Sequence, residues 1–343
     1  MRILYGVYYY NVFYKKGKMM FHQIVQFFSS ISFFNTVAFG IIAMVIVGSS
    51  WCLVGLVMGD APKKGIEPSL VQMGGSIFSV TFSLVILLLT SAYSTSSPKA
   101  TFLTCLTYFV ASMINFTMLQ LMAKAMQLGP NGVIWSIIQS ALVFPFMGGI
   151  IFFGVEFTWL RGAGILLLLA ALVLFAFTKD NSKNNGGIKW KLLAFGGMAL
   201  AAIQQNLATM PSYYEAARGV PSIVRSLSAA GGTLFMAVIW NVVQMNQERW
   251  AQIKKNVKNL TLWKYIAALQ MFGLVFAYTL HYPGMNVMAD HGMGGMCYPM
   301  MVGSCIVSFT LASIWLLKEK IRPIQFAALL VCIGGLVLIC TRA

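Results

Sequence analysis

The chain has 343 residues, 59% hydrophobic and 9% charged, with a mean hydropathy of +0.78. A soluble domain, with roughly 25% charged residues, is excluded. Its 24 Lys and Arg against 8 Asp and Glu give a net charge of +16, but the basic residues sit in short loops between apolar runs. They read as headgroup contacts and topology determinants, not as a nucleic-acid surface.

Residues 1–35 are rich in Tyr and Phe and carry Lys15, Lys16 and Lys18. They read as an interfacial amphipathic segment, or in part as sequence upstream of a start at Met19 or Met20. No small-residue cleavage site follows the first apolar run, so no removable signal is expected. From Thr36 onward, runs of about 20 apolar residues can each cross a bilayer as a helix. Ten are expected: 36–58, 69–92, 100–125, 131–153, 157–178, 189–210, 220–245, 262–282, 291–317 and 322–341. The expected fold class is therefore an all-α membrane protein of ten transmembrane helices, with a lipid bilayer as partner. The six cysteines, Cys52, Cys105, Cys297, Cys305, Cys332 and Cys340, lie in apolar runs without CxxC spacing. Neither a disulfide framework nor a metal site is indicated, and His22, His281 and His291 form no ligand cluster with them.

The chain repeats itself. Gly129 to Ala176 aligns without a gap on Gly292 to Ile339, matching Gly129 and Gly132 with Gly292 and Gly295, Trp135 with Tyr298, and Glu156 with Glu319. Gly74-Gly75 aligns on Gly231-Gly232, a shift of 157 where the later helices shift by 163; the longer Gln247 to Lys264 loop accommodates the difference. Two halves follow, 36–178 and 189–341, joined by a linker at 179–188. Each half holds five helices, an odd number, so the repeats must be inverted about an axis in the membrane plane. Nine of the 24 basic residues fall on the side of the termini and 15 on the other. That balance makes the second side cytoplasmic, while Lys15, Lys16 and Lys18 argue for the first.

A glycine-rich helix, a corner glutamate and a closing helix of small residues, present twice, resemble the EamA-type repeat of the drug/metabolite transporter superfamily. The clearer copy runs from Lys318-Glu319-Lys320-Ile321-Arg322-Pro323 to Ile333-Gly334-Gly335-Leu336-Val337. The first copy departs from the pattern with Val155-Glu156 and Ala171-Leu172. The resemblance covers 36–341 and implies a ten-helix secondary carrier of small metabolites with no cofactor, working as monomer or homodimer in the bacterial inner (plasma) membrane. Size and the long second-half loop also look similar to the rhamnose/proton and glucose/ribose branches.

Polar groups within the spans mark where a substrate would pass. Tyr108, Ser112 and Asn115 share one face of the third helix. Gln270, Tyr278 and His281 lie within about 80° on the eighth, at 100° per residue. Gln204, Gln205 and Asn206 cluster on the sixth, beside Ser49, Ser50 and Trp51 on the first, Gln139 on the fourth, and Tyr298 with Pro299 on the ninth. Helix-to-helix hydrogen bonding is the alternative account of each stripe taken alone, and a weaker one for two stripes at equivalent positions. Among charged groups Lys124, Glu215, Arg218, Arg225, Asp290 and His291, most read as helix-end residues. Arg225, five residues inside the seventh helix, could bind a carboxylate or phosphate. Protons as coupling ion would need Asp290, His281 or Glu215. Glu156 and Glu319 read as corner anchors. A secondary carrier of a small polar metabolite fits best, with a sugar/proton symporter as its variant. No catalytic constellation favours a membrane enzyme, no filter motif favours a channel, and no phosphate loop favours a pump.

Overall fold

The computed structural model describes residues 32–90, 96–129, 131–176, 187–316 and 323–340, and every regular element among them is helical. In order these are α1 Val37–Ser50, α2 Cys52–Asp60, α3 Pro68–Thr90, α4 Pro98–Leu128, α5 Asn131–Gln139, α6 Val143–Phe153, α7 Trp159–Ala176 and α8 Lys189–Thr209. The second part continues with α9 Glu215–Arg218, α10 Ser222–Val243, α11 Gln247–Val257, α12 Leu260–Phe276, α13 Tyr282–Asp290, α14 Cys297–Leu316 and α15 Pro323–Cys340. The expected features at residues 1–31, 179–186 and Glu319 lie outside the described residues.

Six stretches are long and apolar enough to cross a bilayer: Val37–Lys64, Pro68–Leu89, Pro98–Leu128, Val133–Phe153, Ser222–Val243 and Leu260–Asp290. Trp159–Leu174, Gly294–Phe309 and Phe326–Ile339 are apolar but shorter. Leu88, Phe102, Phe152, Trp159 and Val243 point outward and are exposed, a pattern that suits lipid surroundings. The protein is thus an all-α, membrane-embedded fold.

Backbone hydrogen bonds are satisfied within helices, so association between them relies on close packing at small residues. A Cβ on Gly48 of α1 would lie 2.2 Å from the Met301 carbonyl oxygen of α14, and one on Gly232 of α10 only 2.1 Å from the Phe109 oxygen of α4. Gly164 of α7 and Gly335 of α15 meet in the same way, at 2.8 Å. Other extensive pairings are α4 with α8, α10 with α3, α12 with α3, α13 with α1, α8 with α5 and α6, α7 with α5, and α14 with α15.

Three long helices are interrupted where the backbone ladder cannot continue unchanged. Pro145 lacks the N–H that the Ala141 carbonyl would accept, and a 3-10 turn at Ser140–Leu142 separates α5 from α6. Pro283 leaves the Thr279 carbonyl without its donor in the same manner, and a π-helical turn at Ala277–His281 joins α12 to α13. Between α1 and α2, Trp51 stands at a turn whose N–H donates to Gly48 and Ser49.

Two expected boundaries need correction. The eighth span does not end at residue 282: the π turn absorbs Pro283, and the helix continues to Asp290. The ninth accordingly begins later than 291, with a 3-10 turn at Gly294–Met296 before Cys297; Pro299 sits harmlessly in the first turn of α14. The Gln247 to Lys264 loop contains helix α11, capped by Asn246, whose side chain accepts from the Arg249 N–H, with Glu248 in the first turn and Lys254 and Lys255 in the last. Those charges complement the helix dipole, a signal present in the sequence.

Candidate functional site

The site grows from a short helix that cannot satisfy its own end. α9 is four residues long, so its final carbonyls have no intrahelical partners. Pro221 then turns the chain into α10, whose fourth residue is Arg225. Arg225 Nε donates to Val220 O at 2.9 Å, and Nη2 to Ala217 O at 2.9 Å and Arg218 O at 3.0 Å. Nη1 reaches across to Asn286 Oδ1 of α13 at 3.1 Å. The guanidinium also lies 5.8 Å from the Tyr282 ring centre, in reach of a cation–π attraction. Only 1% of Arg225 is exposed.

An aromatic wall continues from there. His281 stacks on Tyr282 at 5.1 Å, Tyr108 meets Tyr282 edge-on at 5.0 Å, and Trp51 meets both His281 at 6.2 Å and Tyr298 at 5.9 Å. Gln204 Nε2 donates to the Tyr298 hydroxyl at 3.4 Å. Several polar atoms here are buried without a partner: Tyr108 OH, Gln205 Oε1, Ser212 Oγ, Ser226 Oγ and His281 Nε2. The Tyr108 hydroxyl sits beside Arg225 and Ser212 without reaching hydrogen-bond geometry. Buried polar groups are normally satisfied, so this cluster is where the described residues leave the most hydrogen-bonding capacity without a protein partner.

Of the residues singled out in the sequence, Trp51, Tyr108, Gln204, Arg225, His281 and Tyr298 therefore converge. Gln205 is buried on α8 next to them in sequence, with its carbonyl oxygen unpartnered. Gln270 and Tyr278 do not join the cluster. Ser79 of α3 donates to Gln270 Oε1 at 2.5 Å, and Ser83 shares a 2.5 Å hydrogen bond with Tyr278, which stacks on Phe82. They are contacts between α12 and α3, and the π turn explains the separation: its extra residue rotates His281 out of the 100° phase that grouped it with Gln270 and Tyr278. Asn115 and Gln139 are half-buried, and no contact ties either to this cluster. Asn206 donates to Ala202 O at 2.9 Å and fills the space over Gly148.

Among the charged candidates, Asp290 forms an ion pair with Arg218, one turn beyond Asn286. Lys124 lies 4.8 Å from the Trp240 ring centre, and Glu215 is exposed. Sequence reasoning missed Tyr282, Asn286, Ser212 and Ser226. For the first two, a signal was present: Pro283 invites the reading that the helix stops, whereas a Pro within an apolar run more often marks a kink. Tyr213 was also missed; it stacks on Phe153 at 4.0 Å and packs against Gly294.

At the opposite end of the bundle lies a cavity of about 430 Å³, lined by Met58, Pro62, Pro68, Ala123, Met126 and Gln127 among others. Next to it α11 is anchored by Arg249, which donates to Ser69 Oγ and Asn241 Oδ1 at 2.8 Å each and pairs with Glu67 at 2.9 Å. No protein-family model and no curated protein matches the chain. A solved structure described as "Crystal structure of protein" superposes with a TM-score of 0.63 at 13% identity, over 86% of this chain and 95% of its own; at that identity the likeness concerns the fold alone.

Proposed function

We propose that the protein is a secondary carrier of the drug/metabolite transporter type, built from two inverted five-helix repeats and moving a small polar solute by alternating access around the Trp51–Tyr108–Arg225–Tyr298 cluster. Support for the repeat comes from the packing. Exchanging α1–α2 with α8, α3 with α10, α4 with α12–α13, α5–α6 with α14 and α7 with α15 turns the contact α4–α8 into α13–α1. The same exchange turns α10–α4 into α3–α12, α14–α1 into α5–α6 against α8, and α14–α15 into α5–α7, and leaves α3–α10 and α7–α15 unchanged; every pair so generated is in contact. An axis of this kind in the membrane plane is the usual basis of alternating access.

One observation carries the mechanism. The shift of 157 puts Arg225 on Pro68, and the shift of 163 puts Asn286 on Ala123 and Asp290 on Gln127. The first member of each pair closes one end, and the second lines the cavity at the other. Equivalent places are thus sealed and open in one conformation, as a carrier caught facing one side requires. The open end adjoins Lys63, Lys64 and the basic helix α11, and by the excess of positive charge it faces the cytoplasm.

The test is counterflow in proteoliposomes. Uptake of a labelled solute driven only by an unlabelled internal pool is expected; uptake that never saturates, with no stimulation from inside, would make the protein a channel.

A further inference from the structure

The most unusual group in the cluster is the cation with no counter-ion. Burying a guanidinium is costly unless it is paired and hydrogen-bonded. Arg225 has the hydrogen bonds but not the pair: its four acceptors are three backbone carbonyls and an amide oxygen, all neutral. Four of five N–H groups are used, leaving one on Nη1 and the whole formal charge. Among the described residues the carboxylates are engaged elsewhere or lie in water: Asp60 with Lys64, Glu67 with Arg249, Asp290 with Arg218, and Glu156, Glu215 and Glu248 exposed. Arg161 is also buried without a carboxylate, but its Nη1 caps Glu156 O at 2.9 Å next to a chain corner, away from these groups.

Hydroxyls that can donate stand in the same cluster as the Arg225 charge. Tyr108, Ser212 and Ser226 are 3%, 0% and 6% exposed, and none has a hydrogen-bond partner. The Tyr108 hydroxyl adjoins the guanidinium and Ser212, and Ser226 lies beside Tyr282. A positive centre with spare donors and no acid is arranged for an oxyanion, since charge-assisted bonds to a carboxylate or phosphate are the strong ones. The same field repels an organic cation. The rings of Trp51, Tyr282 and Tyr298 supply an apolar wall for the rest of the solute.

We propose that the solute is a small organic anion, its carboxylate or phosphate group held by Arg225 Nη1 with the Tyr108, Ser212 and Ser226 hydroxyls. This rests on the carrier reading above. The anion serves as the missing counter-ion, so the loaded cluster is electrically closer to neutral than the empty one. Loading therefore lowers the cost of carrying this charge through the conformational change.

The experiment is a thermal-shift screen of the full-length protein in neutral detergent, with acetate, L-lactate, succinate, inorganic phosphate and glycerol 3-phosphate against glycerol, glucose, choline and, as a lipid control, phosphatidylglycerol. A rise in midpoint with one or more anions, and none with choline, is expected. Arg225→Gln should abolish it. Because that variant loosens the α9–α10 turn and could fail to fold, Tyr108→Phe and Ser226→Ala are measured beside it; each removes one hydroxyl and should weaken the anion by roughly tenfold. A midpoint raised only by glucose, glycerol or choline, or an anion response untouched in Tyr108→Phe and Ser226→Ala, overturns the proposal and leaves the carrier reading standing. No response to any probe also overturns it for these anions. A response to phosphatidylglycerol alone assigns Arg225 to a lipid headgroup and overturns it as well. Anion binding without trans-stimulated flux in proteoliposomes would instead sink the carrier reading and keep the anion site.

Discussion

The two ends of this bundle, which the proposed repeat makes counterparts of one another, are held by different chemistry. At one end, Arg225 draws the carbonyls of α9 and the Asn286 amide together, Asp290 pairs with Arg218, and Tyr213 covers Gly294. At the other, Pro68, Ala123 and Gln127 occupy the matching positions, and a cavity of about 430 Å³ remains between them. That end is held from the side instead, by Arg249 of α11 against Glu67, Ser69 and Asn241. A shared backbone plan, if the repeat holds, would therefore not set the conformation by itself. In the proposed carrier, polar side chains at one end, opposite small or apolar ones at the other, would bias the pair of states.

The sharpest way to break this comparison is to fasten the sealed end. In a cysteine-free background, Arg218→Cys with Asp290→Cys should form a disulfide and arrest transport completely, with recovery on reduction. Ala61→Cys with Gln127→Cys, the equivalent pair, should cross-link only during turnover; equal cross-linking of both pairs at rest would remove the asymmetry.

Next in size is the lateral anchor. Arg249→Ala leaves Glu67, Ser69 and Asn241 without their shared donor, and should cost about 3 kcal/mol, seen as a lower thermal midpoint. An unchanged midpoint would show that α11 does not hold its end. Smaller again, Pro283→Ala lets the ladder revert from π to α and should rotate His281 away from Trp51. We expect about a tenfold loss in transport with folding intact, and transport at the original rate would dissociate the π turn from the site. The least effect belongs to Arg218→Ala. Its pair with Asp290 is partly exposed at 24% and 47%, so about 0.2–1 kcal/mol is at stake. That should appear as modestly faster labelling of a cysteine at Asn286, not as a fall in stability.

Much of this architecture is legible in the residues. Apolar length places α3, α4, α8 and α10 to within three residues, and glycines that permit close approach announce crossings such as Gly232 over Phe109. The site was half legible. Trp51, Tyr108, Gln204, Arg225, His281 and Tyr298 stand out because polar or amphipathic groups in hydrocarbon need a reason. Gln270 and Tyr278 stand out equally, yet their reason is a pair of serines on α3, and helical phase cannot tell a partner helix from a solute. Tyr282 and Asn286 escape because the expected eighth span closes at 282, whereas a local π turn carries the helix past Pro283 to Asp290. α11 escaped because a strongly charged stretch between spans resembles a plain loop until its cap, Asn246, is noticed.

Two helices are too long for the membrane they cross. α4 and the span Leu260–Asp290 each contain 31 residues, about 46 Å at 1.5 Å per residue, against a hydrocarbon core of about 30 Å. The excess must be taken up as tilt or as overhang. Their last turns, Ala123 to Gln127 on one and Asn286 to Asp290 on the other, hold residues that line the cavity or close the opposite end. Each helix then resembles an oar immersed at mid-length, one blade beside the cavity and the other tied through Asn286 and Asp290. A change of tilt of about 10° about its centre would sweep the tip by about 4 Å, enough to part or join an ion pair while the buried middle barely moves.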